Sequence, residues 1–222
     1  NTQAFVDAIF AASEDGGSTG VVYIPPTTDG RAYRLNLDLS VTSIITRLDG
    51  LVLQGGGIRS TLEPANPNLP VIQGRFLGTT IRRNAIFRDF NIRGRVATSR
   101  TSAHGFDLAF VYDSKFYNVW ASAFSGDCWS LTSCIAVDII SPRISGQSGG
   151  GINAFGCNAL GIFGGHLTGT KVVGESAVSL AQLGSARIIG TTIETWDVAV
   201  RAASGSTVRS LTVLGCYFED QE

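Results

Sequence analysis

The sequence predicts an all-β solenoid, the parallel β-helix, and two observations lead to this fold class. Short segments with a polar residue between two apolar ones begin at Phe106, Trp129, Ile152, Val178 and Val200, at steps of 23, 23, 26 and 22 residues. This alternation is that of a strand with one buried face, and strands that repeat every 20–30 residues or so indicate a solenoid. The 27 glycines and the absence of long helical periodicity suit short strands joined by tight turns.

The N-terminal residues predict a cap over the first coil. Apolar residues such as Phe5 and Ile9 share one face of a short amphipathic helix, which Gly16 and Gly17 are expected to end. A buried type of strand follows at 21–24 and stops at two prolines, which cannot continue a central ladder. A covered first coil leaves no open strand edge, so we predict that the helix caps the solenoid.

We predict a single domain over residues 1–222, with the cap helix and first strand in 1–26 and the coils in 27–222. The chain contains no Met and begins with Asn1, so we expect a fragment of a longer protein. The 17 basic and 18 acidic residues give a net charge of −1, which predicts no general attraction to nucleic acid or anionic membranes. No apolar run approaches the length of a membrane span, so no membrane insertion is expected.

The four cysteines show no Cys-x-x-Cys pairing and no His at metal-ligand spacing, so the sequence predicts no metal site. It also lacks a nucleotide-binding glycine loop, and no cofactor is expected. Cys134 and Cys157 are 23 residues apart, which is one repeat. We expect them to stack as buried thiols in adjacent coils, although a disulfide is the alternative and the redox compartment stays open.

A second ladder of apolar residues follows the first in each later repeat. We expect the members of two sets to point inward: Ile140, Phe163, Ile189 and Leu214, and Ile144, Leu167, Ile193 and Phe218. The residues one step away then face outward on the same sheet. They form two columns: Arg143, His166, Thr192 and Tyr217, and Ser145, Thr168, Glu194 and Glu219.

The outward columns contain the best candidates for chemistry. Glu194 and Glu219 would lie on adjacent rungs, where two like charges resist simultaneous ionisation and the pKa of one should rise. One protonated and one ionised carboxyl are what glycoside hydrolysis requires, with Asp197 as a more distant partner. The alternative is that these carboxylates are ordinary solvated surface.

Four further residues are predicted to bind substrate. The aromatic faces of Trp196 and Tyr217 could stack on sugar rings, although packing in the core or against another subunit is the alternative. His166 and Arg143 share the outward face, where His166 could donate a proton or the two could hold an acidic sugar.

The first ladder has an outward cluster of its own. His104 and Asp127 are one repeat apart, and a polar column runs through Asp107, Ser130, Asn153, Ser179 and Arg201. A His–Asp pair can orient a base. No Ser nucleophile motif accompanies it, and hydrogen bonding along the ladder is the favoured interpretation.

The opening of the chain resembles that of the pectate-lyase-like superfamily. The residues that carry the resemblance are Ala4-Phe5, Ala8-Ile9, Ala11-Ala12, Gly16-Gly17 and Val22-Tyr23-Ile24-Pro25-Pro26. The resemblance implies a right-handed parallel β-helix with a capping α-helix, as in bacteriophage tailspikes, polygalacturonases, lyases and epimerases that act on polysaccharides.

Two later rungs, Ile193-Glu194-Thr195 and Tyr217-Phe218-Glu219, resemble those of phage tailspikes. That resemblance implies a polysaccharide-binding, trimeric protein of the virion tail that hydrolyses a bacterial capsule or O-antigen as an endoglycosidase. The motifs Asn-Thr-Asp, Gly-Asp-Asp, Gly-His-Gly and Arg-Ile-Lys expected of polygalacturonases are missing. Two alternatives stay open: a non-catalytic glycan-binding or structural module, and a secreted bacterial lyase or hydrolase.

Overall fold

The computed structural model describes residues 2–12, 20–40, 49–75, 82–95 and 103–221, and in these ranges the chain is a solenoid of three parallel β-sheets. With strands numbered in chain order, sheet A contains β1 (Val21–Ile24), β4 (Val52–Gly55), β7 (Arg82–Arg83), β8 (Ile86–Arg88), β11 (Val111–Tyr112), β12 (Lys115–Tyr117), β15 (Ile135–Ile140), β18 (Asn158–Phe163), β21 (Ala186–Ile189) and β24 (Leu211–Leu214). Sheet B contains β2 (Tyr33–Arg34), β5 (Thr61–Glu63), β9 (Asn91–Arg93), β13 (Trp120–Ser122), β16 (Arg143–Gln147), β19 (His166–Gly169), β22 (Thr192–Glu194) and β25 (Tyr217–Glu219). Sheet C contains β3 (Leu37–Asp38), β6 (Ile72–Arg75), β10 (Phe106–Ala109), β14 (Trp129–Thr132), β17 (Ile152–Phe155), β20 (Ser176–Ala181) and β23 (Val198–Ala202). The predicted all-β parallel solenoid is confirmed.

The helix α1 (Thr2–Ala12) covers the first coil. Phe5 and Ile9 are buried on its inner face, and the helix packs against β1 and β3. Gly20 lies under its last turn, where an added Cβ would be 2.0 Å from the Ala12 carbonyl oxygen. Only glycine permits this close approach. The N-terminal cap is thus confirmed, while the glycine pair at 16–17 lies outside the described residues.

The first ladder has the predicted register. Phe106 pairs with Trp129, and the column continues through Ile152, Val178 and Val200 on sheet C. Inside the solenoid the Phe106 ring stacks on Trp129, with ring centroids 5.7 Å apart. Such aromatic pairs contribute about 0.5–1.5 kcal/mol beyond the area that they bury. The inward residues of this ladder therefore fix the stacking of the coils.

One half of the second ladder faces outward and not inward. The residues Ile140, Phe163, Ile189 and Leu214 are in register on sheet A, but Leu214 is 62% exposed and the other three are half-buried. The residues just before them, including Ile139 and Ile162, are buried instead. The expectation was wrong because a corner separates sheet A from sheet B, and a corner residue resets the alternation of faces.

That corner has the same form in successive coils. In six coils the residue between the sheet A strand and the sheet B strand has left-handed backbone geometry, with φ between 49° and 65°, at Asp89, Asn118, Ser141, Gly164, Gly190 and Gly215. Glycine and asparagine adopt this geometry at low cost. In these six coils the sheet B strand begins two residues later, as at Trp120, Arg143 and His166. The constant corner length aligns the side chains of sheet B into columns.

The cysteines stack as predicted. All four are free thiols, and the backbone N–H of Cys134 donates to Cys157 Sγ at 3.4 Å in the next coil. Burial raises the pKa of the Cys128 thiol, and the hydrogen bond with Cys157, together with burial, raises that of Cys134. Only Cys216 among the four is partly exposed.

We therefore expect a thiol reagent such as DTNB to modify one cysteine per native chain, Cys216, and all four after unfolding. Burial shields Cys128, Cys134 and Cys157 from the reagent, and the raised pKa of Cys128 and Cys134 leaves little thiolate for reaction at those two. Mass spectrometry of the labelled peptides measures the outcome. Rapid native labelling of Cys134 or Cys157 would contradict this packing, and Cys216→Ser is the matched control that should remove the native signal.

Candidate functional site

The outer face of sheet B aligns polar and aromatic side chains in two columns. The first consists of Asn91, Trp120, Arg143, His166, Thr192 and Tyr217. The second contains Thr168, Glu194 and Glu219, as predicted. The prediction that Ser145 continues this column is wrong, because Ser145 falls in a bulge of β16 where the register shifts. Adjacent rungs are about 4.8 Å apart, so neighbours in a column are in contact range.

An open groove of about 370 Å³ lies over these columns. It is lined by Ile58, Asn91, Trp120, Ala121, Ser122, Arg143, Ile144, Ser145, His166 and Thr168. A second depression of about 460 Å³ borders it toward the corner with sheet A, and the side chains of Trp120, Arg143 and His166 line both. These three residues therefore form the centre of the groove.

Trp120 and Arg143 form a preorganised pair in the groove. The guanidinium carbon of Arg143 lies 5.3 Å from the centre of the Trp120 ring, which is a cation–π contact. Trp120 is half-buried and Arg143 is exposed. The indole therefore holds the guanidinium in place while its hydrogen-bond donors stay accessible.

His166 and Glu194 form a close pair at one end of the groove. His166 Nε2 and Glu194 Oε2 are 2.7 Å apart, and the two side chains are 47% and 25% exposed. A carboxyl group and an imidazole in direct contact can exchange a proton. His166 also lines the groove, so a proton moved within this pair can reach a bound ligand.

Glu219 lies on the rung after Glu194 and has a partner of its own. The Tyr217 hydroxyl donates to Glu219 Oε2 at 3.1 Å. This hydrogen bond raises the pKa of Tyr217, and the negative charge of Glu219 adds to the effect. Tyr217 is 56% exposed and is available to a ligand. The sheet thus brings together both glutamates, His166, Arg143 and Tyr217.

Trp196 does not belong to the groove. It is 1% exposed, and its indole Nε1 donates to the Leu167 carbonyl oxygen at 3.0 Å. The preceding Thr195 has a φ of 59°, which turns the chain at the corner between sheets B and C and directs Trp196 into the core. The prediction that Trp196 stacks on a sugar is wrong, and its packing alternative is the observed one.

Asp197 lies at the same corner, and its carboxylate is engaged there. Its Oδ2 accepts a hydrogen bond from the Gly174 backbone at 2.8 Å and lies 4.0 Å from the Arg201 guanidinium. It is not among the described residues that line the groove. Its observed contacts hold a turn, and its catalytic role stays a prediction.

The polar cluster of the first ladder is a hydrogen-bonded network on sheet C. The Asp127 backbone N–H donates to His104 Nδ1 at 2.9 Å, and Asn153 donates to Asp127 Oδ2 at 3.1 Å. Burial raises the pKa of Asp127, although the nearby His104 opposes this. Asp107 is buried beneath Arg75, which donates to it at 2.7 Å. These contacts are those of a ladder network.

The comparisons with known proteins identify the fold. No protein-family model matches the sequence, and no curated protein is significantly similar to it. A solved iota-carrageenase complexed to iota-carrageenan fragments has a TM-score of 0.61 and 13% identity, over 92% of this chain and 53% of that one. The ORF18 protein of Geobacillus virus E2 has a TM-score of 0.51 and 11% identity, over 99% and 56%. Pectin methylesterase from carrot has a TM-score of 0.51 and 13% identity, over 97% and 78%.

The chain has the pectate-lyase-like fold. It is a right-handed parallel β-helix with an N-terminal helix. The chain spans just over half the length of the carrageenase and of the viral protein. At identities of 11 to 13%, these likenesses establish the fold, while the function has to be argued from the site.

Sequence reasoning missed Trp120, the aromatic residue of the β-helix groove. Trp120 precedes Arg143 by 23 residues, which is one repeat, so extending the column backward by one step would have found it.

The described part of the β-helix offers no group of three or more His, Cys, Asp or Glu side chains placed to hold a metal ion. Among the described residues, no helix has the length and apolarity needed to cross a membrane.

Proposed function

We propose that this β-helix binds a bacterial surface polysaccharide in the sheet B groove and hydrolyses it as a tailspike-like endoglycosidase. The observation that carries the proposal is the groove itself, which is lined by an aromatic ring, a cation and a histidine, with Glu194 in contact with that histidine at one end. Aromatic faces and fixed polar groups are the elements that bind sugar rings. The polysaccharide-acting names of several proteins with this fold support the same substrate class.

The proposed mechanism uses the two glutamates with His166. Glu194 in its acid form donates a proton to the glycosidic oxygen as the bond from that oxygen to the anomeric carbon breaks. Glu219, on the next rung, acts in one of two ways. As a nucleophile it forms a bond to the anomeric carbon; water then attacks that carbon, the bond to Glu219 breaks, and Glu194 takes a proton from the water and regains its acid form. As a base, Glu219 takes a proton from water that attacks the anomeric carbon directly, and this proton returns to Glu194 through solvent and His166, which contacts Glu194. In either route the water oxygen ends on the anomeric carbon and the leaving sugar gains a hydroxyl group.

We also propose that the full-length protein is a homotrimer of the virion tail. A column of apolar side chains faces outward on sheet A beside the groove, at Tyr117, Ile140, Phe163, Ile189 and Leu214. Outward apolar columns of this kind are suited to packing between subunits. Light scattering of the full-length protein measures this state directly, and a monomer would favour a secreted enzyme.

A specific observation favours a second candidate, a module that binds glycan without cleaving it. Both glutamates already have side-chain partners, His166 and Tyr217. No carboxylate is among the described residues that line the main groove. A module of this kind would have affinity for glycan and release no new reducing ends.

Incubation with a panel of capsular and O-antigen polysaccharides, followed by mass spectrometry, tests the proposal. We expect shortened chains whose ends have gained the elements of water. Products with an unsaturated sugar would show elimination and contradict the hydrolytic mechanism. Bound but intact polymer would establish the second candidate, and a panel with neither cleavage nor binding would overturn both.

A further inference from the structure

The guanidinium of Arg143 has no ionic partner among the described residues. Its contact is with the Trp120 ring, and no hydrogen bond or ion pair joins it to another described side chain. Arginine carries its charge at every physiological pH and presents donors in a planar fork that matches a carboxylate or sulfate oxyanion. Arg143 therefore places an unsatisfied anion receptor in the middle of the groove.

Other outward arginines near the start of the solenoid are satisfied within the protein. Arg93 on sheet B donates to Glu63 at 2.7 Å, and Arg34 lies 3.7 Å from the same carboxylate. On sheet C, Arg75 donates to Asp107 at 2.7 Å. In these early coils the arginines are thus paired with carboxylates on neighbouring rungs. At Arg143 the rung before supplies an indole and the rung after supplies an imidazole, and neither is an anion.

The surroundings of Arg143 favour an anion from outside. No carboxylate is among the described residues that line the main groove, and Glu194, two rungs from Arg143, is in contact with His166. The Trp120 ring restrains the guanidinium, so a ligand has less side-chain freedom to remove when it binds. The ring edge and the shallow floor remain open to the sugar that carries the anion.

We infer that the sheet B groove is selective for acidic polysaccharides and that Arg143 binds the carboxylate or sulfate group of the sugar. This inference rests on the proposed glycan-binding function and names the class of its substrate. The acidic group lies over the Arg143 rung, and the sugar backbone runs along the column toward His166 and Glu194.

Two matched pairs of polymers test the inference through the fluorescence of Trp120, since Trp129 and Trp196 are buried. Polygalacturonate is compared with its methyl-esterified form, and dextran sulfate with dextran. We expect an acidic member to bind at least tenfold more tightly than its neutral partner, and added salt to weaken that binding. The first pair tests the carboxylate as the source of charge, and the second tests sulfate.

Arg143→Gln should lower affinity for the acidic polymer about tenfold, because a charge-assisted hydrogen bond is lost, and leave the neutral polymer unaffected. Arg143→Lys should recover only part of the affinity, since it keeps the charge without the fork. Arg187→Gln is the matched control, because Arg187 is an exposed arginine on sheet A, outside the groove. Circular dichroism of each variant confirms folding.

The outcomes separate this inference from the function on which it rests. Equal affinity for acidic and neutral polymers, unchanged in Arg143→Gln, would overturn the selectivity and leave glycan binding standing. If Arg187→Gln lowered affinity for the acidic polymer as much as Arg143→Gln does, the effect would be one of overall charge, and the inferred role of Arg143 would also be overturned. An absence of binding to all four polymers would overturn the inference, and the absence of binding across the capsular panel as well would overturn the proposed function.

Discussion

Glu194→Gln should lower the rate of polysaccharide hydrolysis by about 10²–10⁴-fold, the usual contribution of a general acid or base. The amide keeps the size of the side chain and a hydrogen bond with His166, 2.7 Å away, but it has no proton of suitable acidity to donate. Binding of the polymer should change little, because Glu194 is not among the described residues that line the groove. Initial rates of reducing-end release, with affinity measured separately, give the two quantities.

Two further variants make this prediction specific. Glu219→Gln should also reduce the rate, since the mechanism needs a second carboxylate on the adjacent rung. Asp138→Asn is the matched control, because Asp138 faces outward on sheet A, away from the groove, and should retain the full rate. Full activity in both glutamine variants would show that the glutamates are not catalytic. Loss of activity in Asp138→Asn would point to a general effect of charge.

The fold was predictable from the sequence because a solenoid repeats the same strand pattern in every coil. The five rungs from Phe106 to Val200 specify the register four times, and the four observed pairings follow it. A single strand would not have been decisive, since a short apolar run is ambiguous by itself. Repetition at steps of 22 to 26 residues turned a weak local signal into a reliable global one.

The orientation of residues near corners was not predictable in the same way. Ile140 and Ile144 are four residues apart, and simple alternation puts them on one face. Ser141 between them has a φ of 52°, and this left-handed residue reverses the expectation for Ile140. Serine carries no strong signal for that geometry, whereas the glycines at the same corner in later coils do.

The candidate site contains both kinds of residue, those in paired strands and those next to corners. Arg143, His166 and the two glutamates occupy paired positions of sheet B strands, so counting by repeats placed them correctly on one face. Trp196 follows the corner residue Thr195, and its burial depends on a left-handed turn for which threonine gives no sequence signal. Residues that pair in register between strands are therefore the ones for which sequence reasoning about a β-helix surface is most dependable.

The two buried tryptophans should respond differently to the same substitution, Trp→Phe. Trp129 is fully buried, and its Nε1 has no hydrogen-bond partner among the described residues. Trp129→Phe removes an unsatisfied donor, which offsets the lost packing, and should change the free energy of unfolding by only about 1 kcal/mol. Its ring stack with Phe106 is kept.

Trp196→Phe removes packing of similar size together with the hydrogen bond to the Leu167 carbonyl oxygen. The combined loss should cost about 2–4 kcal/mol, enough to lower Tm by several degrees in a chain of this size. Urea denaturation of both variants beside the wild type measures the difference. Equal costs at the two sites would mean that the Trp196 hydrogen bond does not contribute. A larger loss of unfolding free energy in Trp129→Phe than in Trp196→Phe would mean that the Trp129 N–H has a hydrogen-bond partner in solution. The difference in indole hydrogen bonding between the two positions would then be absent.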